Sequence, residues 1–496
     1  MIDIYEETRD CWLEKFEHYV RTTPDRMAVA ARDVSLTYAQ LYARAQRFAE
    51  ILQGEGVGEG DYVLCCASAS VSFMIAYMGT LYCRAVFVPL ERDVQSGKFT
   101  EIFNSLKTCR VIVGSVEHLR GSARVILMAA LLKLTGSPAG RTYPCPPRKI
   151  PSHILFTTGS TGECKGVVID NAQFCQSSYF AKVVGADAST VLYNFFPTNH
   201  YAFFAYACAV LGVGGGVVIS QGLVGISDFF TSFGRYGVNF IFATPSVMNY
   251  LFSFGEEQLK PIAANLRIIA LAGEKCPVAL QEKMVAAFPG AEVVLWYGST
   301  EAGSISNYSV RKYGAREGCI GVPNEGVRIE FVPVEGTDMQ RLAAVTSYGM
   351  IGYFNERELT ERILVGGSVY TDDYGYEKDG LYYVLGRIGS VILYGGYKIN
   401  PGEVEEACLS CRGVAECVCV GEAHPIFGQV PKLIVAMERG AAFDPESIKA
   451  HLYSRLESHK VPKNIVCVDE IKKNANGKTD RKYYTEAAKN DENRDL

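Results

Sequence analysis

The chain of 496 residues is about three times the usual domain length, and 48% of it is hydrophobic, so two or more buried cores are expected. A net charge of −5 gives no general reason to expect nucleic acid or another polyanion as a partner. Sixteen scattered cysteines suit a reducing cytoplasm better than a disulfide framework, and the charged opening MIDIYEETRDCWLEKF lacks the apolar run of a secretion signal, so a cytoplasmic location is expected.

Thr37-Tyr38-Ala39-Gln40 has capping-box spacing, and Leu41, Ala45, Phe48 and Leu52 follow at helical intervals before Gly54 and Gly56. Strands are expected over 62–66, 85–90, 110–113, 154–156, 217–219, 240–243, 268–271 and 293–296, with an apolar helix over 71–83. Strands alternating with helical patterns imply β-α-β units and mostly parallel sheets. No formal charge lies between Asp187 and Asp228, and YAFFAYACAVLGVGGGVVIS is long enough to cross a bilayer. Glycines at 212 and 214–216 break it and no Lys or Arg flanks it closely, so a buried helix, a glycine turn and a buried strand are expected instead. The composition changes near residue 385, and the boundary is placed to give domains 1–387 and 388–496.

The stretch ILFTTGSTGECKGV, residues 154–167, puts backbone N–H groups beside the hydroxyls of Thr157, Thr158, Ser160 and Thr161, with Gly159, Gly162 and the charge of Lys165. Such a loop can cradle phosphate or be a flexible surface loop. It is not the nucleotide-triphosphatase loop, because Cys164 precedes the lysine and Gly166 follows it. Other expected strands also end in polar turns, and ligands collect at the carboxyl ends of strands in open parallel sheets.

Six stretches occur in order: TTGSTGECKG (157–166), AGE (272–274), WYGSTEAG (296–303), YTDDYG (370–375), GRIGSVILYGGYKINPGEVE (386–405) and NANGKTDR (474–481). Together they resemble the adenylate-forming superfamily of acyl-CoA synthetases, peptide-synthetase adenylation domains and luciferases. The resemblance implies an α/β fold: a large N-terminal domain of stacked, mostly parallel sheets with helices binds nucleotide and acid, and a small mobile α+β C-terminal domain acts as a lid. It also implies an AMP-forming acid–thiol ligase using ATP and Mg²⁺, with CoA or a carrier-protein phosphopantetheine as acceptor.

The same resemblance assigns roles residue by residue. Residues 157–166, with Lys165, would hold the leaving phosphates. Gly273, Glu274 and Gly298 belong to the nucleotide-binding turns, and Tyr297 matches the aromatic that stacks on adenine. Thr300 would contact the α-phosphate, and Glu301 the metal. Asp373 would take the ribose hydroxyls, Arg387 the ribose or phosphate, and Lys478 would reach from the small domain to neutralise charge during adenylation. His200 resembles the aromatic lining the carboxylate site; a core histidine is the competing explanation. Tyr201, Phe203, Phe204 and Tyr206, with Phe242, form a candidate pocket or simply core.

The pattern also departs from its relatives. Asp372 stands where a glycine is usual, Gly389 occupies the hinge position, and Leu393 replaces a second lysine found in many members. These departures bear on transfer more than on adenylation, and they keep open a nucleotide-binding protein without transfer activity. No acidic residue lies from Ala188 to Gln221 to pair an α-ammonium, which favours an acid without an α-amine, aryl or aliphatic. Cys408, Cys411, Cys417 and Cys419 have zinc-like spacing, but a helix-then-strand unit with buried thiols accounts for them equally.

Overall fold

A computed structural model describes residues 12–66, 69–91, 94, 96–115, 123–135, 143–146, 150–158, 164–220, 226–335, 337, 339–394, 397–424, 427–473 and 479–490. Thr37 caps the helix Tyr38–Gly54 through a complete capping box, and Leu41, Ala45, Phe48 and Leu52 are all fully buried along one face. The helix Val71–Tyr82 is buried on every side, as its uniformly apolar sequence requires.

A 14-stranded sheet and a seven-stranded sheet make up the larger part of the chain. The centre of the first is parallel, in the order Met27–Ala31, Gly216–Ile219, Val191–Asn194, Phe240–Ala243, Ile268–Ala272 and Glu292–Ser299. Glu292–Ser299 then turns back into Gly303–Ser309, and an antiparallel arm runs through Cys319–Pro323 and Leu381–Arg387 to Ser368–Lys378. In the second sheet the parallel strands Val86–Leu90, Tyr62–Cys66 and Cys109–Gly114 lead to an antiparallel edge formed by Pro151–Thr158 and Cys164–Asp170. Alternating helical and strand patterns thus mark the parallel centres. Some antiparallel pairs are hairpins of strands adjacent in sequence, such as Glu292–Ser299 with Gly303–Ser309 and Pro151–Thr158 with Cys164–Asp170, whereas Cys319–Pro323 pairs with the distant Leu381–Arg387.

One apolar cluster joins the two sheets through the helices between them, drawing on Val63, Phe87 and Val113 from one and Val217, Phe240 and Val294 from the other. A five-stranded sheet from Ile392 onward has its own clusters, around Ile399, Val404, Leu433 and Val435 and around Val418, Ile434 and Tyr484. The uncharged stretch folds as expected: helix Tyr201–Leu211, a turn with Gly214 at φ +82°, and strand Gly216–Ile219. No helix among the described residues is long and apolar enough to cross a membrane. Cys408 and Cys419 are buried in the small domain's packing, and the Cys417 thiol donates to the Glu405 carbonyl at 3.3 Å. Burial raises the Cys419 thiol well above its ordinary range, which keeps it protonated.

His153 sits in the large core with ring centroids 4.8–6.4 Å from Phe174, Phe204, Tyr77 and Phe87. Ser152 Oγ donates to the Ile169 carbonyl, so His153 Nδ1–H donates to Ser152 Oγ at 2.7 Å, and Nε2 faces an apolar wall without a partner. Burial pushes its pKa down from 6.5 to about 3. The unfolded imidazole takes a proton below its ordinary pKa and the folded one does not. This group's contribution is therefore fully present above pH 6.5 and declines by up to about 1.4 kcal/mol per pH unit on acidification. The His153→Leu variant should lose stability less steeply than wild type between pH 6.5 and pH 5 in thermal-unfolding profiles; parallel profiles would contradict this assignment.

Candidate functional site

The strand Glu292–Ser299 delivers two large side chains to opposite faces of the sheet. Trp296 joins the core between the sheets, while Tyr297 turns toward the antiparallel arm. The reversal that follows is tight: a Cβ on Gly298 would lie 2.3 Å from the Gly303 carbonyl oxygen, so only glycine fits. The turn Thr300-Glu301-Ala302 is pinned from three sides. Ala302 N–H donates to Ser299 Oγ at 3.1 Å, Gln173 Nε2 to the Thr300 carbonyl at 3.2 Å, and Met350 N–H to the Glu301 carbonyl at 2.7 Å.

Asp373 and Arg387 face each other in register on neighbouring antiparallel strands. The Tyr297 hydroxyl donates to Asp373 Oδ2 at 2.6 Å and Arg387 Nε donates to Oδ1 at 3.2 Å. Burial, then the neighbouring Asp373 carboxylate, pushes the Tyr297 phenol well above its ordinary range, so it stays a donor. Thr371 Oγ1 fixes the turn by accepting Asp373 N–H at 3.2 Å and donating to the Leu342 carbonyl at 2.8 Å. An ionised carboxylate offers roughly four acceptor positions, which leaves Asp373 capacity for further hydroxyl donors.

Glu301 is tied to the hairpin of Pro151–Thr158 and Cys164–Asp170 by a residue that sequence reasoning missed. The Tyr353 hydroxyl donates to Glu301 Oε1 at 2.8 Å. Tyr353 pairs with Val167, and Phe354 N–H donates to the Gly166 carbonyl at 2.7 Å, on the strand that also carries Lys165. Thr157 pairs with Lys165 across the hairpin. Burial, then Glu301, raises the Tyr353 phenol, so it too remains protonated. The second Glu301 oxygen makes no hydrogen bond among the described residues. No group of three or more His, Cys, Asp or Glu that could hold a metal occurs among the described residues. A Mg²⁺ ion at Glu301 would therefore draw its remaining ligands from phosphate and water, which fits its preference for one or two carboxylates beside substrate phosphates.

The turn Gly273-Glu274 leaves the neighbouring parallel strand beside Tyr297, since Ala272 pairs with Trp296. Glu274 follows Gly273, which has φ +87°, and its Oε2 accepts from both Ser246 N–H (3.1 Å) and Ser246 Oγ (2.6 Å), at the start of the helix Pro245–Phe252. That carboxylate serves the helix N-terminus, where negative charge is favoured. His200 occupies the N-cap of Tyr201–Leu211 without using its side chain as the cap. Gly159, Ser160, Thr161, Gly162 and Lys478 lie outside the described residues; of Thr158, only the backbone, paired with Cys164, is described. The five aromatics considered as one pocket separate into two groups. Phe203 and Phe204 pack on Phe73, with Tyr201 joined to Phe204 through Phe174, while Tyr206 packs on Phe242 and Trp296. Asp372 is exposed and outside the left-handed region, so its backbone does not require the usual glycine. Gly389 has open space around it. Gln173 carries no periodic or motif signal, and Tyr353 follows a glycine in a two-residue strand too short for one.

Two family models match in succession: AMP-binding enzyme over residues 16–343 and AMP-binding enzyme C-terminal domain over residues 403–478. Feruloyl-CoA synthase of Amycolatopsis sp is 25% identical over 478 residues, covering 92% of this chain and 95% of that protein. D-alanine–D-alanyl carrier protein ligase of Bacillus licheniformis is 24% identical over 508 residues, covering 96% and 99%. The solved structure of o-succinylbenzoate CoA synthetase from Bacillus subtilis, in complex with its acyl-adenylate intermediate, superimposes with a TM-score of 0.82 at 22% identity over 96% of this chain and 98% of that one, a likeness in fold. The first model alone spans well over half of the residues, and the chain belongs to the AMP-binding enzyme family.

Proposed function

We propose that this enzyme activates a carboxylic acid lacking an α-amine as its acyl adenylate and then passes the acyl group to the thiol of CoA. The observation that carries this reading is the convergence on Asp373 of Tyr297 and Arg387, beside a turn that presents Thr300 and Glu301. An acid oxygen attacks the α-phosphorus of ATP and the bond to the β-phosphate breaks, so two anions have to meet and pyrophosphate has to leave. Such chemistry needs positioning and positive charge rather than an activated nucleophile.

Tyr297 is the platform for adenine, and Asp373 and Arg387 hold the ribose. Thr300 contacts the α-phosphate, and residues 157–166 with Lys165 receive the leaving phosphates. Bound at Glu301, Mg²⁺ supplies charge neutralisation across the phosphate oxygens. His200 borders the acid carboxylate. The lid, residues 388–496, brings Lys478 into the cleft for adenylation and then rotates so that a thiol can attack the acyl carbonyl, with AMP departing. A carrier-protein phosphopantetheine is the alternative acceptor, supported by the similarity to a D-alanyl carrier protein ligase. A nucleotide-binding protein without transfer activity is the third reading.

Asp373→Asn should raise the Kd for ATP about 10- to 100-fold in calorimetry, since a hydrogen bond to a charged group contributes about 1.5–3 kcal/mol; unchanged affinity would remove Asp373 from the ribose site. Lys478→Ala should slow ATP–pyrophosphate exchange by about 10²–10³-fold, the loss typical of one preorganised donor, and exchange at the wild-type rate would count against its role. For the acceptor, mass spectrometry of products with CoA or with a phosphopantetheinylated carrier protein should show the acyl-CoA thioester; acylation of the carrier alone would reassign the second step.

A further inference from the structure

We infer that Tyr353 is a positioning residue that selects the ion at this site: its hydroxyl holds Glu301 Oε1, so a cation binds the carboxylate through Oε2 alone and Mg²⁺ is taken in preference to Ca²⁺. This rests on the metal role proposed above for Glu301.

Glu301 is held at two points by residues three apart. Met350 N–H donates to its carbonyl at 2.7 Å, and the Tyr353 hydroxyl donates to its carboxylate at 2.8 Å. The segment that carries both donors is itself fixed along each edge. On one edge Ile351 N–H donates to the Val168 carbonyl at 2.8 Å and Phe354 N–H to the Gly166 carbonyl at 2.7 Å, which sets its register on the strand that carries Lys165. On the other, Tyr353 N–H donates to Thr360 Oγ1 at 2.8 Å, in the helix Arg357–Ile363. A Cβ on Gly352 would lie 2.8 Å from Thr360 Cγ2, so helix and strand approach as closely as glycine permits. The Tyr353 ring is half-buried against the core between the sheets, so its place does not depend on the hydroxyl it presents.

This arrangement bears on the ion. A phenol proton and a cation on the same carboxylate oxygen repel, so the cation takes the other oxygen. One oxygen suffices for Mg²⁺, which is octahedral at about 2.0–2.1 Å and fills its remaining positions with water and phosphate oxygens. The larger Ca²⁺ gathers about six to eight oxygens and commonly draws on both oxygens of a carboxylate. No group of three or more His, Cys, Asp or Glu among the described residues stands ready to supply the additional ligands. Released from the phenol, Glu301 can turn both oxygens to one ion, which favours the larger ion.

The test is ATP binding by calorimetry in excess EDTA, in Mg²⁺ and in Ca²⁺, for wild type, Tyr353→Phe and Thr360→Val. In wild type, Mg²⁺ should lower the Kd for ATP, relative to EDTA, by about tenfold more than Ca²⁺ does. Tyr353→Phe keeps the ring, so its Kd in EDTA should stay within about twofold of wild type while the Mg²⁺ advantage falls by about tenfold, the loss typical of removing a partner of a metal ligand. Thr360→Val removes the acceptor of Tyr353 N–H and should shift the advantage in the same direction. An unchanged advantage in Tyr353→Phe would overturn the inference while leaving acid activation standing, as would a Kd raised equally in all three buffers, the mark of a merely structural role. If Tyr353→Phe fails to bind ATP in EDTA, Thr360→Val decides, and an unchanged advantage there overturns the inference. Wild-type ATP affinity indifferent to both metals would overturn it together with the metal role of Glu301. Absence of ATP binding by wild type in every buffer would overturn the nucleotide site as well.

Discussion

The arrangement of the site depends on one carboxylate shared by three strands. Asp373 accepts the Tyr297 hydroxyl on one oxygen and the Arg387 guanidinium on the other. Through these contacts the last parallel strand of the large sheet is fixed against the far part of its antiparallel arm. The chain leaves that arm at Arg387, immediately before the strands of the small domain begin at Ile392. A group that orients the proposed nucleotide platform is thus bonded to the point where a moving lid would pivot. Breaking it would disturb binding and closure together.

The remaining constraint is electrostatic. A triphosphate and a carboxylate repel, and a site that joins them has to hold fixed donors and cations at defined places before either arrives. Glu301 has one oxygen committed to Tyr353 and one available, and Tyr353 belongs to the strand that pairs with the Lys165 hairpin. The proposed cation site and the proposed phosphate cradle are therefore parts of one hydrogen-bonded assembly, and movement of one is transmitted to the other. An ion pair between the domains adds a second linkage: Lys275 on the large domain reaches Glu406 on the small one at 3.7 Å.

Much of the fold was legible because its parallel strands are short apolar runs alternating with amphipathic or fully apolar helices. The capping box at Thr37 and the glycine break after Leu211 each marked an element end that the structure reproduces. The antiparallel arm was not legible in the same way: its strands are half exposed, lack long apolar runs and gain order from pairing. The ordered motifs indicated Tyr297, Asp373 and Arg387, which come together although 76 residues separate the first two. They gave no hint that Glu274 would serve a helix terminus, since that depends on where Ser246 lies in space. Gln173 and Tyr353 support the site through backbone pairing and single hydrogen bonds, which leave no periodic trace in a sequence. The aromatics of the helix Tyr201–Leu211 point to different neighbours because a helix turns its residues around its axis.

The most direct test of acyl-adenylate chemistry follows one atom. If the acid oxygen attacks the α-phosphorus, an acid labelled with ¹⁸O in its carboxylate and turned over to its thioester must leave one ¹⁸O in the AMP released. Mass spectrometry of that nucleotide should show AMP heavier by about 2 Da, with pyrophosphate unlabelled. Formation of ADP and phosphate, or of AMP without label, would contradict the account.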